Sequence, residues 1–149
     1  MRRFQFTLER VLKLKEQRER MAELRQKQAR AALEMARRVV ASIWTQLEQN
    51  AEALEVKVGT SIATGPWLAH YQHAAQLGQA LEAADANLRR ATQELRQASA
   101  QRVQITQEVE ALRHLRHQQW QDHWQETMRQ EQIRLDELGM RRWQAVQAE

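Results

Sequence analysis

The segment Gly59-Thr60-Ser61-Ile62-Ala63-Thr64-Gly65-Pro66 decides the fold, because it separates two long stretches whose composition favours helix. Proline cannot continue a helix and biases the preceding residue away from helical torsion angles, while glycine tolerates the positive φ of caps and turns. Thr64 can cap a helix that restarts near Pro66. The sequence therefore predicts an all-α fold, a long antiparallel two-helix coiled-coil hairpin with a C-terminal helical overhang. We expect a single domain over residues 1–149, with helix one at about 4–58, a turn at 59–66 and helix two at about 67–147.

The composition agrees with this fold and excludes several classes of protein. One proline, four glycines, 42% hydrophobic and 28% charged residues are typical of long helices and coiled coils. The chain has no cysteine, which excludes disulfides and thiolate chemistry. Charges near the N-terminus interrupt any apolar run long enough for a signal peptide or a membrane span. We therefore expect a soluble, cytoplasmic protein.

Helix two carries the cleaner hydrophobic pattern. Its apolar residues fall on alternating three- and four-residue steps, which is the signature of a heptad seam. His70 and Arg102 occupy the same track and could fix the register of the pairing. The track consists of Trp67, Ala74, Leu77, Leu81, Ala84, Leu88, Ala91, Leu95, Ala98, Ile105, Val109 and Leu112.

Helix one is less regular by the same criterion. Its seam is predicted in three parts, with a stutter after Leu47 and a shifted track upstream, and such shifts locally unwind a supercoil. The parts are Leu33, Ala36, Val40, Ile43 and Leu47; Ala51, Leu54 and Val58; and upstream Leu14, Met21, Leu24, Gln28, Ala31 and Met35.

A short turn pairs positions whose numbers sum to about 125, so Phe4 and Phe6 are expected near Trp120. Residues 121–149 then extend beyond helix one by roughly 40 Å and need a partner for their apolar groups. A second copy of the chain, the N-terminal turns or a different protein could cover them. These groups are Trp120, Trp124, Met128, Leu135, Leu138, Trp143 and Val146.

Candidate catalytic and metal sites are weak. His70 with His73, and His114 with His117, have the i,i+3 spacing that can bind a metal, but no cysteine or carboxylate cluster completes either site. No phosphate-binding loop, nucleophile elbow or zinc-protease motif is present. We therefore expect no enzyme, no metal, no cofactor and no small-molecule substrate.

The basic N-terminal half raises the possibility of nucleic-acid binding, because residues 1–58 hold 13 Lys/Arg against 8 Asp/Glu. These charges alternate with acids at i,i+4, as in Glu9 with Lys13, Glu16 with Arg20 and Glu34 with Arg38. Such pairs support a solvated helix. A solvated or partner-facing surface is favoured over a nucleic-acid interface.

Three local motifs of the chain carry a resemblance to a known family. They are Phe4-Gln5-Phe6-Thr7-Leu8-Glu9-Arg10-Val11-Leu12-Lys13 near the start, Trp67-Leu68-Ala69-His70-Tyr71-Gln72 after the turn, and Arg134-Leu135-Asp136-Glu137 with Arg141-Arg142-Trp143 near the end. The first resembles the N-terminal pattern of the FliJ family of flagellar type III export proteins. The second is similar to the segment that opens the second helix in that family, and the third resembles its C-terminal pattern.

The resemblance implies a cytoplasmic stalk similar to the central shaft of rotary ATPases. Its partners would be the hexameric flagellar export ATPase, the export gate membrane protein and export chaperones, at the inner face of the membrane at the flagellar base. The end holding both termini would enter the ATPase ring. We assign the ATPase contact to Arg2, Arg3, Phe4, Phe6, Arg10, Trp120, Trp124, Leu135, Arg141, Arg142 and Trp143.

At the turn end, large aromatic residues are the candidate gate contact. Tyr71 lies one residue off the heptad track, which favours contact with a partner. Trp67 lies on the track, so it either packs in the seam between the helices or contacts the gate protein. Alternative functions are the stalk of a virulence type III secretion system, a basic helical nucleic-acid binder, or a homodimeric scaffold formed by self-association.

Overall fold

The computed structural model describes residues 4–58 and 64–147, apart from the side chains of 55–58 and 145–146. Two helices account for almost all of these residues, α1 at Glu9–Val58 and α2 at Thr64–Gln147, and the described ranges contain no strand. The predicted all-α two-helix hairpin is confirmed.

The helix ends differ from the predicted ones at two places. The first helix begins at Glu9 rather than near residue 4, after a turn in which the Glu9 amide donates to the Phe6 carbonyl at 3.2 Å. The second begins at Thr64, which places Pro66 inside its first turn, where amide groups have no intrahelical acceptor and a missing donor costs nothing. Residues 59–63 of the predicted turn lie outside the described residues.

The chain forms two compact units, each built from both helices. Unit 1 comprises Met1–Arg20 and Gln104–Glu149, and unit 2 comprises Met21–Val103. In unit 1, Phe6, Leu12 and Val109 form the core, and Phe4, Ile105 and Leu112 pack against it. The single domain over 1–149 stays a prediction.

Unit 2 has a thin core made of two clusters. One contains Leu33, Ala36 and Ala91, with Leu88 and Leu95 packed against it. The other contains Ile43, Leu77 and Ala84, with Val40, Leu47 and Leu81 packed against it. Alanine at alternate core positions lets two helices approach closely, so a narrow seam takes the place of a thick core.

The predicted seam of α2 agrees with the burial of its residues. Alanines 84, 91 and 98 are buried and alternate with the half-buried leucines 81, 88 and 95. Trp67 departs from this pattern, because its side chain is about half exposed. The central part of the α2 track therefore forms the helix contact.

The predicted seam of α1 is wrong in its upstream part and at the stutter. Leu14, Met21, Leu24 and Met35 are exposed, and Gln28 and Ala31 are exposed with them. In unit 2 the buried residues from Gln26 through Leu33, Ala36 and Ile43 to Asn50 continue the three- and four-residue steps without a break. The stutter to Ala51 does not occur, since Asn50 takes that place and Ala51 is exposed.

Hydrogen bonds across the helices explain why polar residues occupy the seam. The Gln26 amide donates to Ser99 Oγ at 2.9 Å, and its Oε1 accepts from Arg102 at 2.6 Å. Asn50 Nδ2 donates to the His70 carbonyl at 3.2 Å, and its Oδ1 lies 2.8 Å from His70 Nδ1. A buried polar group costs little free energy once it is hydrogen-bonded, so Gln26 and Asn50 can occupy buried seam positions. A pattern based on hydrophobicity alone does not assign these residues to the seam.

Candidate interaction surfaces

A basic groove lies in unit 1 between the start of the chain and α2. Its volume is about 850 Å³. Four cationic side chains line it, namely Arg10, Lys13, Arg113 and Arg116, together with the aromatic residues Phe4, Phe6 and Trp120. Among the described residues of the lining, Glu9 is the only acid. The groove is therefore suited to an acidic segment of a partner.

Ion pairs across the two helices hold the groove in place. The Arg113 guanidinium donates to Glu16 Oε1 at 2.9 Å, and Arg116 lies 3.8 Å from Glu9. The predicted pairs of Glu9 with Lys13 and of Glu16 with Arg20 are therefore wrong, because both carboxylates face α2. Within the described residues, Arg10 and Lys13 form no ion pair and keep their charge available.

A third pair, Lys15 with Glu108, lies deeper in unit 1. The hydrogen bond from Lys15, together with its charge, holds the pKa of the Glu108 carboxyl below its usual range. Both side chains are partly exposed, so this pair fixes the alignment of the helices more than it adds stability.

The aromatic residues around the groove form a stacked row on α2. The ring of Trp120 stacks on His117 and on Trp124, each with centroids 6.1 Å apart, as i,i+3 and i,i+4 spacing allows. The Phe4 ring lies beside the His123 ring, with centroids 5.6 Å apart. Phe4 and Phe6 thus lie near Trp120, as the pairing rule predicts. Phe6 is buried in the core of unit 1 and also lines the groove, so most of its side chain serves internal packing.

Beyond His123, no hydrogen bond, ion pair or ring contact joins α2 to the described residues 4–58. We call residues 124–147 the overhang; they are about 36 Å of helix at 1.5 Å per residue. Seven large apolar side chains of the overhang are exposed or nearly so, and Leu135 is 68% exposed. An isolated helix of this kind is marginal in water, so burial of these side chains would stabilise it.

The apolar side chains of the overhang lie on two faces. At about 100° per residue, their centres are separated by roughly 140°. The first overhang face consists of Trp124, Met128, Leu135 and Leu138, and the second of Ile133, Met140 and Trp143. The apolar residues predicted from the sequence include Trp143 of the second face but not Ile133 and Met140, although the seven-residue spacing of these two is visible in the sequence.

The remaining predicted ATPase contacts are placed as follows. Arg10, Arg141 and Arg142 are exposed, and Arg10 lines the groove. Arg2 and Arg3 lie outside the described residues, as does the side chain of Val146. The structure thus gathers Phe4, Arg10 and Trp120 around the groove of unit 1 and buries Phe6 in the core beside it. The other described residues of the set lie on the overhang, namely Trp124, Leu135, Arg141, Arg142 and Trp143.

In unit 2, the predicted gate residues form a pair at the start of α2. The rings of Trp67 and Tyr71 stack with centroids 5.8 Å apart and planes 13° apart. Both side chains are exposed, and Leu68 beside them is exposed too. One turn of helix therefore presents a pre-formed aromatic surface, since stacking restricts both rings.

Two of the four paired histidines make contacts within the fold. His70 is bonded to Asn50, and His117 stacks on Trp120. His73 and His114 are exposed. Among the described residues, no group of three or more potential ligands lies close enough to hold a metal ion.

The described residues form a two-helix coiled-coil hairpin with a basic groove, an exposed apolar helix end and an exposed aromatic pair at the start of α2, which places the chain in the class of coiled-coil proteins. Among the described residues, neither helix has an apolar stretch sufficient to cross a bilayer. The chain belongs to the FliJ family, since residues 4–148 match the family described as flagellar FliJ protein. No curated protein and no solved structure matches the chain.

Proposed function

We propose that this protein is a non-enzymatic central stalk of the flagellar type III export apparatus, which binds the hexameric export ATPase and promotes its assembly and activity. The family places the chain in the flagellar export system. The observation that carries the finer proposal is the overhang, an apolar helix without an internal partner in the described structure.

The distribution of apolar residues on the overhang favours a partner that encloses it. A flat partner would cover the first overhang face and leave Ile133, Met140 and Trp143 in water. The pore of a ring surrounds an inserted helix and covers both faces. Burial of a large apolar side chain contributes about 1.5–3 kcal/mol, so covering both faces adds substantially to the binding free energy.

Electrostatics support a ring whose entrance is acidic. The groove presents Arg10 and Lys13 without ion-pair partners among the described residues, and Arg141 and Arg142 are exposed on the overhang. Such charges raise the rate of association with a surface of opposite sign and set the orientation of docking. The proposal also includes binding of export chaperones and a location at the inner face of the membrane at the flagellar base.

The aromatic pair of Trp67 and Tyr71 is the proposed contact with the export gate protein. Its exposure and stacking give it the properties of an interface anchor. Replacing Tyr71 by alanine removes that anchor from an exposed position, so gate binding should weaken while the helix content is retained.

The experiment uses the cognate export ATPase and measures its rate of ATP hydrolysis and its oligomeric size with and without this chain. The double variant Leu135→Glu/Leu138→Glu should abolish the increase in rate and the formation of the ring. Val103→Glu changes another exposed apolar residue and is the matched control. An increase that survives in the double variant would contradict the proposed site.

A further inference from the structure

An apolar stripe on α1 in unit 2 has no partner within the described residues. Met21, Leu24, Ala31 and Met35 follow three- and four-residue steps, with Gln28 at the centre. The three large side chains are 50–67% exposed. We call this set the α1 stripe. Regular spacing distinguishes it from scattered surface residues, which need no explanation.

The border of the α1 stripe is basic. At the helical angle of each position, Arg25, Lys27 and Arg38 are the nearest charged residues of unit 2 on its two sides. Lys27 is paired with Glu23 at 3.2 Å, so Arg25 and Arg38 supply the basic character of the border. Glu34 is the nearest acid, and its carboxylate is engaged by Arg37 at 3.0 Å. A partner for this stripe should therefore carry apolar residues bordered by acids.

The second overhang face has these properties. Ile133, Met140 and Trp143 are 48–64% exposed. Three acidic residues share or border that side of the helix, and one arginine lies among them. They are Glu126, Asp136, Glu137 and Arg129. The first overhang face differs, because Arg134 and Arg141 border it.

We propose that the α1 stripe binds the second overhang face of a second copy of this chain. Both surfaces are exposed apolar tracks of one helix each, of comparable length, and their borders carry opposite charge. Helix packing of this kind follows the ordinary geometry of coiled-coil contacts. This contact and the proposed ATPase contact both use the second overhang face, so the two exclude each other. The dimer is detectable with the protein alone, and its failure would leave the proposed ATPase contact intact.

The test measures molar mass by light scattering after size-exclusion chromatography, over a range of protein concentrations. The wild type should dimerise, and the dimer should weaken with added salt because charges border the contact. Met35→Glu or Met140→Glu should each weaken dimerisation by about tenfold or more, because each places a charge in an apolar contact. Trp44→Glu and Leu138→Glu are matched controls on other faces of the same helices.

Mixing the two variants separates this contact from other dimers. In a mixture of Met35→Glu with Met140→Glu, one partner has an intact stripe and the other an intact second face, so one contact is restored and dimers should reappear. A wild type that stays monomeric at high concentration would overturn the proposal. So would a dimer that both variants leave unchanged, or a mixture that remains monomeric. Circular dichroism of each variant establishes that the helices are retained.

Discussion

Replacing Leu12 by alanine tests the seam of unit 1, because the sequence pattern and the structure disagree about neighbouring leucines. Leu12 is 1% exposed and packs with Phe6 and Val109, whereas Leu14 is 49% exposed. The sequence track places Leu14 in the seam. The substitutions Leu12→Ala and Leu14→Ala are chemically identical and two residues apart, so each is the control for the other.

The expected cost of Leu12→Ala follows from what the substitution removes. Three buried carbon atoms at about 0.8 kcal/mol each give about 2.4 kcal/mol, and an incompletely closed cavity adds to this. A two-helix contact can partly close around the gap, so we expect about 3 kcal/mol, in the lower half of the usual range. Leu14→Ala should cost less than about 0.5 kcal/mol.

The free energy of unfolding is measured by urea denaturation followed at 222 nm, and amide hydrogen exchange is measured at Leu12 and Val109. Exchange detects a local opening of unit 1 that the global transition would miss. An equal cost for the two variants, or a larger cost for Leu14→Ala, would refute the assignment of Leu12 to the seam.

Three further predictions concern single positions. Gly78→Ala should raise the free energy of unfolding by up to about 1 kcal/mol, since a Cβ there meets no atom within 4 Å; a loss in urea denaturation would contradict this. Asn50→Ala should lower it by about 1 kcal/mol, because two contacts with His70 are lost, and an unchanged midpoint would show that they contribute nothing. The pKa of Glu108 is lowered in the fold by Lys15, so its contribution to stability is present at neutral pH and is lost as the pH falls below about 4.3. Glu108→Gln should reduce the dependence of the free energy of unfolding on pH in the acid range. The same dependence in the variant and the wild type would show that the pair of Lys15 and Glu108 does not contribute to stability.

Much of the fold could be predicted because a helix is encoded by residues close together in the sequence. The run from Leu77 to Val109 has a regular apolar period, and its burial agrees with the sequence. On α1, however, Gln26 and Asn50 take seam positions by bonding to residues about 20 or 70 positions away in the chain. These hydrogen bonds depend on the register between the two helices. The apolar pattern of a single helix carries no information about that register.

The candidate surfaces were predicted less completely for a related reason. Trp124, Leu135 and Trp143 are visible in the sequence as apolar residues without a partner. Phe6 resembles them in the sequence but is buried in the core. Whether an apolar residue near a chain end packs internally or faces a partner depends on how far the second helix extends beside it.

The most direct test of the stalk proposal uses single cysteines, because the chain has none of its own. An environment-sensitive probe is attached at Leu135→Cys on the first overhang face, at Ile133→Cys on the second, or at Val103→Cys as control. Its emission and its accessibility to a quencher are measured as the cognate ATPase is added. The account predicts that the probes at 135 and 133 both become protected while the probe at 103 does not. Protection at neither overhang position, or at one alone, would contradict insertion of the overhang into an enclosing ring.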